Sequence, residues 1–146
     1  MNKSHYVITG RVDIAPETLW SVLLDKVHHP EKYIENAREI VIDPLEEQKF
    51  FRKMRRGDLL VQEMIEVLPE TRETIFELKD HENYEGLIIS RVEIDKDQSP
   101  AACYLTYELN WDLKPEGKAD KQIFSWLSKA YQLTVEAGLN RSLAEE

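Results

Sequence analysis

The sequence predicts an α+β domain in which a strongly curved antiparallel sheet of about seven strands wraps around a long C-terminal helix. Three observations carry this prediction. Strand patterns fill the chain from Arg38 to about Leu113, with no interval long enough for a crossover helix, so neighbouring strands should pair antiparallel as a meander. One long helical pattern follows, from Asp120 to about Leu143. Its apolar residues cover an arc roughly 200° wide, more than a flat sheet can bury, so the sheet must be concave.

The elements follow in order. Tyr6, Ile8, Gly10 and Val12 alternate with Val7, Thr9 and Arg11, the period of a strand with one buried face. Pro16 suits the first turn of a helix and Glu17 favours its positive end. That helix continues through Leu19, Trp20, Leu23 and Val27 until His28, His29 and Pro30 interrupt it, and Glu31 to Asn36 is expected to form a second short helix. Six strands follow, separated at Asp43-Pro44, Gly57-Asp58, Pro69-Glu70, His81 to Gly86, and Asp97 to Ala101. Pro115 and Gly117 end the last strand, and Asp120 can cap the final helix. On that helix Ile123, Phe124, Trp126, Leu127, Ala130, Tyr131, Leu133, Thr134, Val135 and Ala137 share the apolar arc. Residues 1–146 show no repeat, low-complexity tract or linker and read as one domain.

Composition narrows the function classes. The formal net charge of -9, with basic residues scattered among acidic ones, disfavours nucleic acid as a partner. No segment is apolar enough to span a bilayer, and the polar Met1 to His5 is not a signal sequence, so a cytoplasmic location is expected. Cys103 is the single cysteine, which excludes an internal disulfide and a thiolate zinc site. His28 and His29 diverge as neighbours, while His5 and His81 lie in separate segments, so no metal site is expected. No phosphate loop or nucleophile elbow is present, and no cofactor is expected. The charges from Glu46 to Lys49 and from Glu93 to Asp97 read as solvated loops and strand ends.

Gly57-Asp58 suits a two-residue type II′ hairpin, and that turn sets a register. Arg56 then faces Leu59, Met54 faces Val61, Arg52 faces Glu63 and Phe50 faces Ile65 on one side of the sheet. This is the more apolar side, so it is assigned to the concave face. Arg52 and Glu63 thereby become candidate catalytic or binding residues, because an ion pair near the interior is costly unless a polar partner shares the site. The same register also fits a hairpin that twists enough for both groups to reach water, as an ordinary cross-strand pair.

On the last strand Leu105, Tyr107, Leu109 and Trp111 form the inward alternate, where Tyr107 and Trp111 can either orient a guest or fill the core. Thr74 and Phe76, and Ser90 with Ile88, fall on inward alternates of their strands; the two hydroxyls can equally serve backbone carbonyls. The helix carries Ala130 and Thr134 mid-arc, with larger Trp126, Tyr131 and Leu133 towards its flanks. Small residues there leave space that sheet side chains fill or that stays open.

The order strand, two short helices, six-strand meander and long helix resembles the helix-grip fold of the START-like superfamily of polyketide cyclases, lipid carriers and hormone receptors, as does Ala15-Pro16-Glu17-Thr18-Leu19-Trp20. More narrowly, the segments Arg52 to Asp58, Gln62-Glu63, Tyr84-Glu85-Gly86 and Leu105 to Glu108 resemble its AtaL-like branch, formerly a domain of unknown function. The resemblance implies a cavity between sheet and helix and leaves activity open; the broad helix arc, the inward aromatics and the absence of catalytic signatures make binding of a small apolar or aromatic molecule there the first expectation. The cavity walls would come from Arg52, Met54, Glu63, Thr74, Phe76, Ser90, Tyr107, Trp111, Leu127, Ala130, Tyr131 and Thr134. The alternatives are a cyclase or dehydratase acting on a polyketide-like substrate, with Glu63 as acid or base beside Arg52, and a protein-interaction module using a strand edge or the acidic surface.

Overall fold

A computed structural model describes residues 3–95, 97 and 99–145. Strand β1 (Lys3–Val12) leads into helix α1 (Pro16–His28), a 3-10 turn (Pro30–Lys32), and strands β2 (Ala37–Glu46), β3 (Lys49–Arg56), β4 (Leu59–Leu68), β5 (Glu73–Leu78), β6 (Tyr84–Ile94) and β7 (Cys103–Leu113). Helix α2 (Ile123–Glu145) closes the chain. The seven strands form one sheet in the order β1-β7-β6-β5-β4-β3-β2, every neighbour antiparallel. It is an open sheet whose edges are β1 and β2.

The hairpin register is the one expected: Arg56 opposes Leu59, Met54 opposes Val61, Arg52 opposes Glu63 and Phe50 opposes Ile65. Gly57 takes φ 62° while Asp58 does not turn positive, the type II′ pattern. Burial confirms the concave face, with Met54, Val61, Ile65, Val67, Phe76 and Leu78 all in the core. From β7, Leu105, Tyr107, Leu109 and Trp111 join them.

Four expectations need correction. Asp43-Pro44 does not end a strand, because β2 runs on to Glu46; as an edge strand it has one unpaired side that tolerates proline, and it bulges at Glu39 (φ 54°) and again after Pro44. The second short helix shrinks to one 3-10 turn, and by Asn36 the backbone is left-handed at φ 64°. Of the run Glu93 to Asp97, Asp95 is buried at 1% exposure, held by Arg11 at 3.2 Å and by the Asp97 backbone N–H, while Lys96 lies outside the described residues.

The last correction concerns α2. Its fully buried stripe is narrow, comprising Ile123, Leu127, Ala130, Thr134 and Gly138; Phe124 is 50% exposed and covers Tyr6 from outside. Trp126, Tyr131, Leu133, Val135 and Ala137 flank that stripe, partly buried against the core, so of the expected apolar arc Phe124 alone lies outside. The second half of α2 packs on α1, where a Cβ at Gly138 would press on Ile14 and Leu19, and Arg141 bonds Ser21 at 2.8 Å. The first turns of α2 cover the site, and farther along Tyr131 and Thr134 tie the helix to β7.

Candidate functional site

Beneath the first half of α2 lies a cavity of about 250 Å3. Met54, Leu59, Val61, Phe76 and Ile88 supply its apolar wall from the sheet, Leu127, Ala130 and Trp126 its roof from α2, and Ile34 one flank. Exposed Lys118 and Ala119, with Asn83, Arg56 and Asp120, mark its mouth. Local bonds hold this rim: Lys118 N–H donates to Asn83 Oδ1 at 2.9 Å, Asp120 N–H donates to the Tyr84 hydroxyl at 2.8 Å, and Asp120 Oδ1 accepts from Gln122 N–H just ahead of α2. Arg56 lies over the Trp126 ring, 4.4 Å from its centroid.

The buried polar groups cluster on the wall nearest α1. Arg52 is 1% exposed, and its Nη1 donates to the Lys26 and Val27 carbonyls at 3.0 Å each, serving carbonyls that the end of α1 leaves without helical partners. Its Nη2 donates to Glu63 Oε1 at 2.7 Å, and Glu63 is 5% exposed. Of the two arrangements compatible with the register, the structure adopts the interior one. A buried ion pair is tolerated here because it is shared with a helix terminus.

Lys26 completes the wall. Its helical neighbours Leu19, Val22, Leu23 and Val27 are core residues, so the same face carries the lysine inward to 6% exposure. Nζ donates to the Tyr107 hydroxyl at 3.1 Å and lies over the Tyr107 ring, 4.2 Å from the centroid. Burial, reinforced by the Arg52 charge, drives the ammonium down to about 7, and Glu63 only partly opposes this. Burial likewise raises Tyr107 well above the usual phenol range, so it stays protonated. Thr134 Oγ1 donates to the Ala130 carbonyl at 2.8 Å, which leaves it to accept from Tyr107. The Tyr107 oxygen then accepts from Lys26.

His81 is the remaining polar group. Its Nδ1 accepts backbone N–H groups from Asn83 and Tyr84, both at 3.0 Å, so a neutral ring carries its proton on Nε2. Burial and the nearby Lys114 keep the ring neutral by lowering its pKa. His81, Tyr84, Trp111 and Trp126 form a chain of tilted ring contacts, with centroids 5.4 Å apart for Tyr84 and Trp111 and 5.5 Å for the two indoles. Trp111 sits over Gly86, whose φ of 131° and lack of a Cβ let β6 approach the Asn110 carbonyl closely. Among the described residues, Arg52 Nε, Trp111 Nε1 and Trp126 Nε1 are buried donors with no protein partner.

Seven of the twelve residues expected at a binding site line this cavity: Arg52, Met54, Glu63, Phe76, Trp111, Leu127 and Ala130. Thr74, Ser90, Tyr107, Tyr131 and Thr134 point inward but do not line it. Tyr107 and Thr134 bond each other, and Tyr131 donates to the Leu105 carbonyl at 2.8 Å. Opposed across adjacent strands, Thr74, Ser90 and Tyr107 form a polar seam beyond the cavity, where the Thr74 and Ser90 hydroxyls are buried and, among the described residues, bond no backbone carbonyl. Replacing Thr134 with valine removes the acceptor of a buried phenol, and a loss of about 1–3 kcal/mol in urea unfolding is expected; an unchanged midpoint would remove Thr134 from this network.

Lys26 and His81 escaped the sequence reading. Lys26 had a visible signal, a cation in step with Leu19, Val22 and Leu23 on the buried face of α1. His81 had none, since only a turn places it. Cys103 is buried and burial raises its thiol to about 11, and no group of three metal-ligating side chains occurs among the described residues.

A cupped antiparallel sheet closed by a long C-terminal helix, with a short helix after the first strand and a hollow between, defines the helix-grip fold. No protein-family model matches the chain, and no curated protein matches it. Solved structures do. The ZhuI aromatase/cyclase from Streptomyces sp. R1128 superposes with a TM-score of 0.75 at 11% identity, covering 96% of this chain and 93% of that one. TTHA0849 from Thermus thermophilus gives 0.75 at 9% identity, over 95% and 99%. Norcoclaurine synthase from Thalictrum flavum, solved with dopamine and hydroxybenzaldehyde, gives 0.69 at 13% identity, over 95% and 88%. These likenesses establish the fold. No helix among the described residues is long and apolar enough to cross a membrane.

Proposed function

We propose that the chain binds one small, largely apolar molecule bearing an aromatic ring in the cavity between sheet and α2. The observation that carries this is the hollow itself, walled by Met54, Phe76, Trp111, Trp126, Leu127 and Ala130 and open at a polar rim. Its volume of about 250 Å3 falls just below the common range for drug-sized sites, about 300–1,000 Å3, which suits a guest of one or two rings. The partnerless N–H groups of Arg52, Trp111 and Trp126 favour a guest with acceptor oxygens. The AtaL-like segments support the same reading, because Arg52, Met54, Arg56, Glu63 and Tyr84 from them line the cavity.

Titration with naphthalene and 2-naphthol tests it. Indole emission should change, since Trp111 and Trp126 line the cavity, and a guest at a hundred times its Kd should add about 2.7 kcal/mol of stability. Ala130→Phe fills the roof and should abolish both responses. No response in the parent protein, or an equal one in the variant, would refute the reading.

A second reading is favoured by the position of Glu63, a carboxylate on the cavity wall beside Lys26 and Arg52. In it the chain is a cyclase or dehydratase for a polyketide-like substrate, and Glu63 moves the proton. The fold likeness to an aromatase/cyclase is consistent with that chemistry. Glu63→Gln should then abolish turnover while leaving guest binding intact.

A further inference from the structure

The wall nearest α1 carries two cationic side chains, Lys26 and Arg52, and one carboxylate. Glu63 is already taken by Arg52 at 2.7 Å, and among the described residues no carboxylate forms an ion pair with Lys26. A buried ammonium without a counter-ion is unfavourable, so the amine gives up its proton more readily than a solvated lysine does. Lys26 Nζ is also fixed in place. The order of donation along Thr134, Tyr107 and Lys26 makes the Tyr107 oxygen an acceptor of one Lys26 N–H. The neutral amine keeps its other N–H and its lone pair, and it lines a cavity whose adjacent wall is the Phe76 ring, 5.6 Å from Nζ to centroid. A structural lysine would be expected to pair with a carboxylate. This one is held at an apolar hollow with its nucleophilic pair unspent.

We infer that Lys26 is an imine-forming amine that condenses with the carbonyl carbon of an aromatic aldehyde or ketone seated in the cavity. The nitrogen pair forms the C–N bond while the carbonyl π pair moves to oxygen. The nitrogen then loses its two protons, the oxygen gains two, and the oxygen leaves as water, so that amine and carbonyl become imine and water with no oxidant or reductant. The inference rests on the proposed reading that the cavity admits a guest, and it adds a covalent step and a functional-group class to it. Arg52 and Glu63 have a further role here: by pairing with each other they keep the carboxylate from holding Lys26 as an ammonium.

The full-length chain is incubated at pH 7 with cinnamaldehyde and sodium cyanoborohydride, then weighed intact and mapped by peptide. One label is expected, of the aldehyde mass less one oxygen, on Lys26. Its rate should exceed that of any other lysine by on the order of a hundred-fold, since a pKa near 7 raises the neutral fraction about a thousand-fold and lower basicity takes back part of that gain. Lys26→Met should lose the fast label and keep the slow ones, and the peptide map of the parent protein decides the matter even if that variant misfolds. Cinnamyl alcohol, which cannot form an imine, is run in parallel by thermal shift. If the alcohol stabilises the protein while the aldehyde labels other lysines and spares Lys26, the imine is refuted and the cavity reading stands. If neither compound stabilises the protein and Lys26 is not labelled, both fall.

Discussion

Arg52→Ala should cost about 3–5 kcal/mol of folding stability, the range for breaking one side of a buried ion pair. The guanidinium does two jobs from a position 1% exposed: it neutralises Glu63 and it closes the carbonyls of Lys26 and Val27 at the end of α1. Its removal strands a carboxylate in the cavity wall and leaves two acceptors without donors. Arg52→Met with Glu63→Met should recover most of the loss, because the pair is then replaced by apolar volume and only the carbonyls go unmet. Chemical denaturation of the two single variants and the double variant measures the coupling directly. A single-variant loss below about 1 kcal/mol would mean that the pair behaves like a surface contact despite its burial.

Lys26→Met should stabilise the protein near neutral pH, and the gain should fade as pH rises. The free lysine titrates at 10.5 and the buried one at about 7. Between those values the unfolded chain binds more protons than the folded one, so parent stability climbs with pH by up to about 1.4 kcal/mol per unit from this group. Below 7 both states are protonated and the full cost of the buried ammonium is present; above 10.5 that cost is gone. The stability difference between variant and parent should therefore be largest below pH 7 and close towards pH 10.5. Because other lysines and tyrosines are common to both chains, their titration cancels in this difference. A difference independent of pH would show that Lys26 carries no shifted proton.

The readable parts of this protein are those with short-range causes. The type II′ turn at Gly57-Asp58 set the pairing of β3 with β4, and with it the placing of Arg52, Met54 and Glu63 on one face, because a hairpin has only one register once its loop length is known. The alternation on β7 placed Trp111 inside for the same reason. Misreadings arose where position in the sheet mattered more than local preference. Pro44 ordinarily ends a strand, yet β2 is an edge and needs no N–H on its open side. Asp95 sits in a charged run, yet Arg11 from a distant strand draws it inside. Phe124 counted as core on the helical wheel, yet it lies on the outer rim beside Tyr6.

From the sequence alone came the order of elements, the concave face of the hairpin and the candidate pair Arg52 and Glu63, since each follows from spacing along a few residues. The tertiary structure alone decided which inward residues line a hollow and which pack shut against α1, as with Trp111 and Ala130 against Tyr107 and Thr134. It alone brought Lys26 from α1 beside Arg52 from β3 and Glu63 from β4 in one wall, with Tyr107 from β7 bonded to Lys26 from outside the cavity. The reason is physical: a side chain's periodicity states which way it points, but desolvation and the sharing of a single carboxylate depend on what the rest of the chain places in front of it.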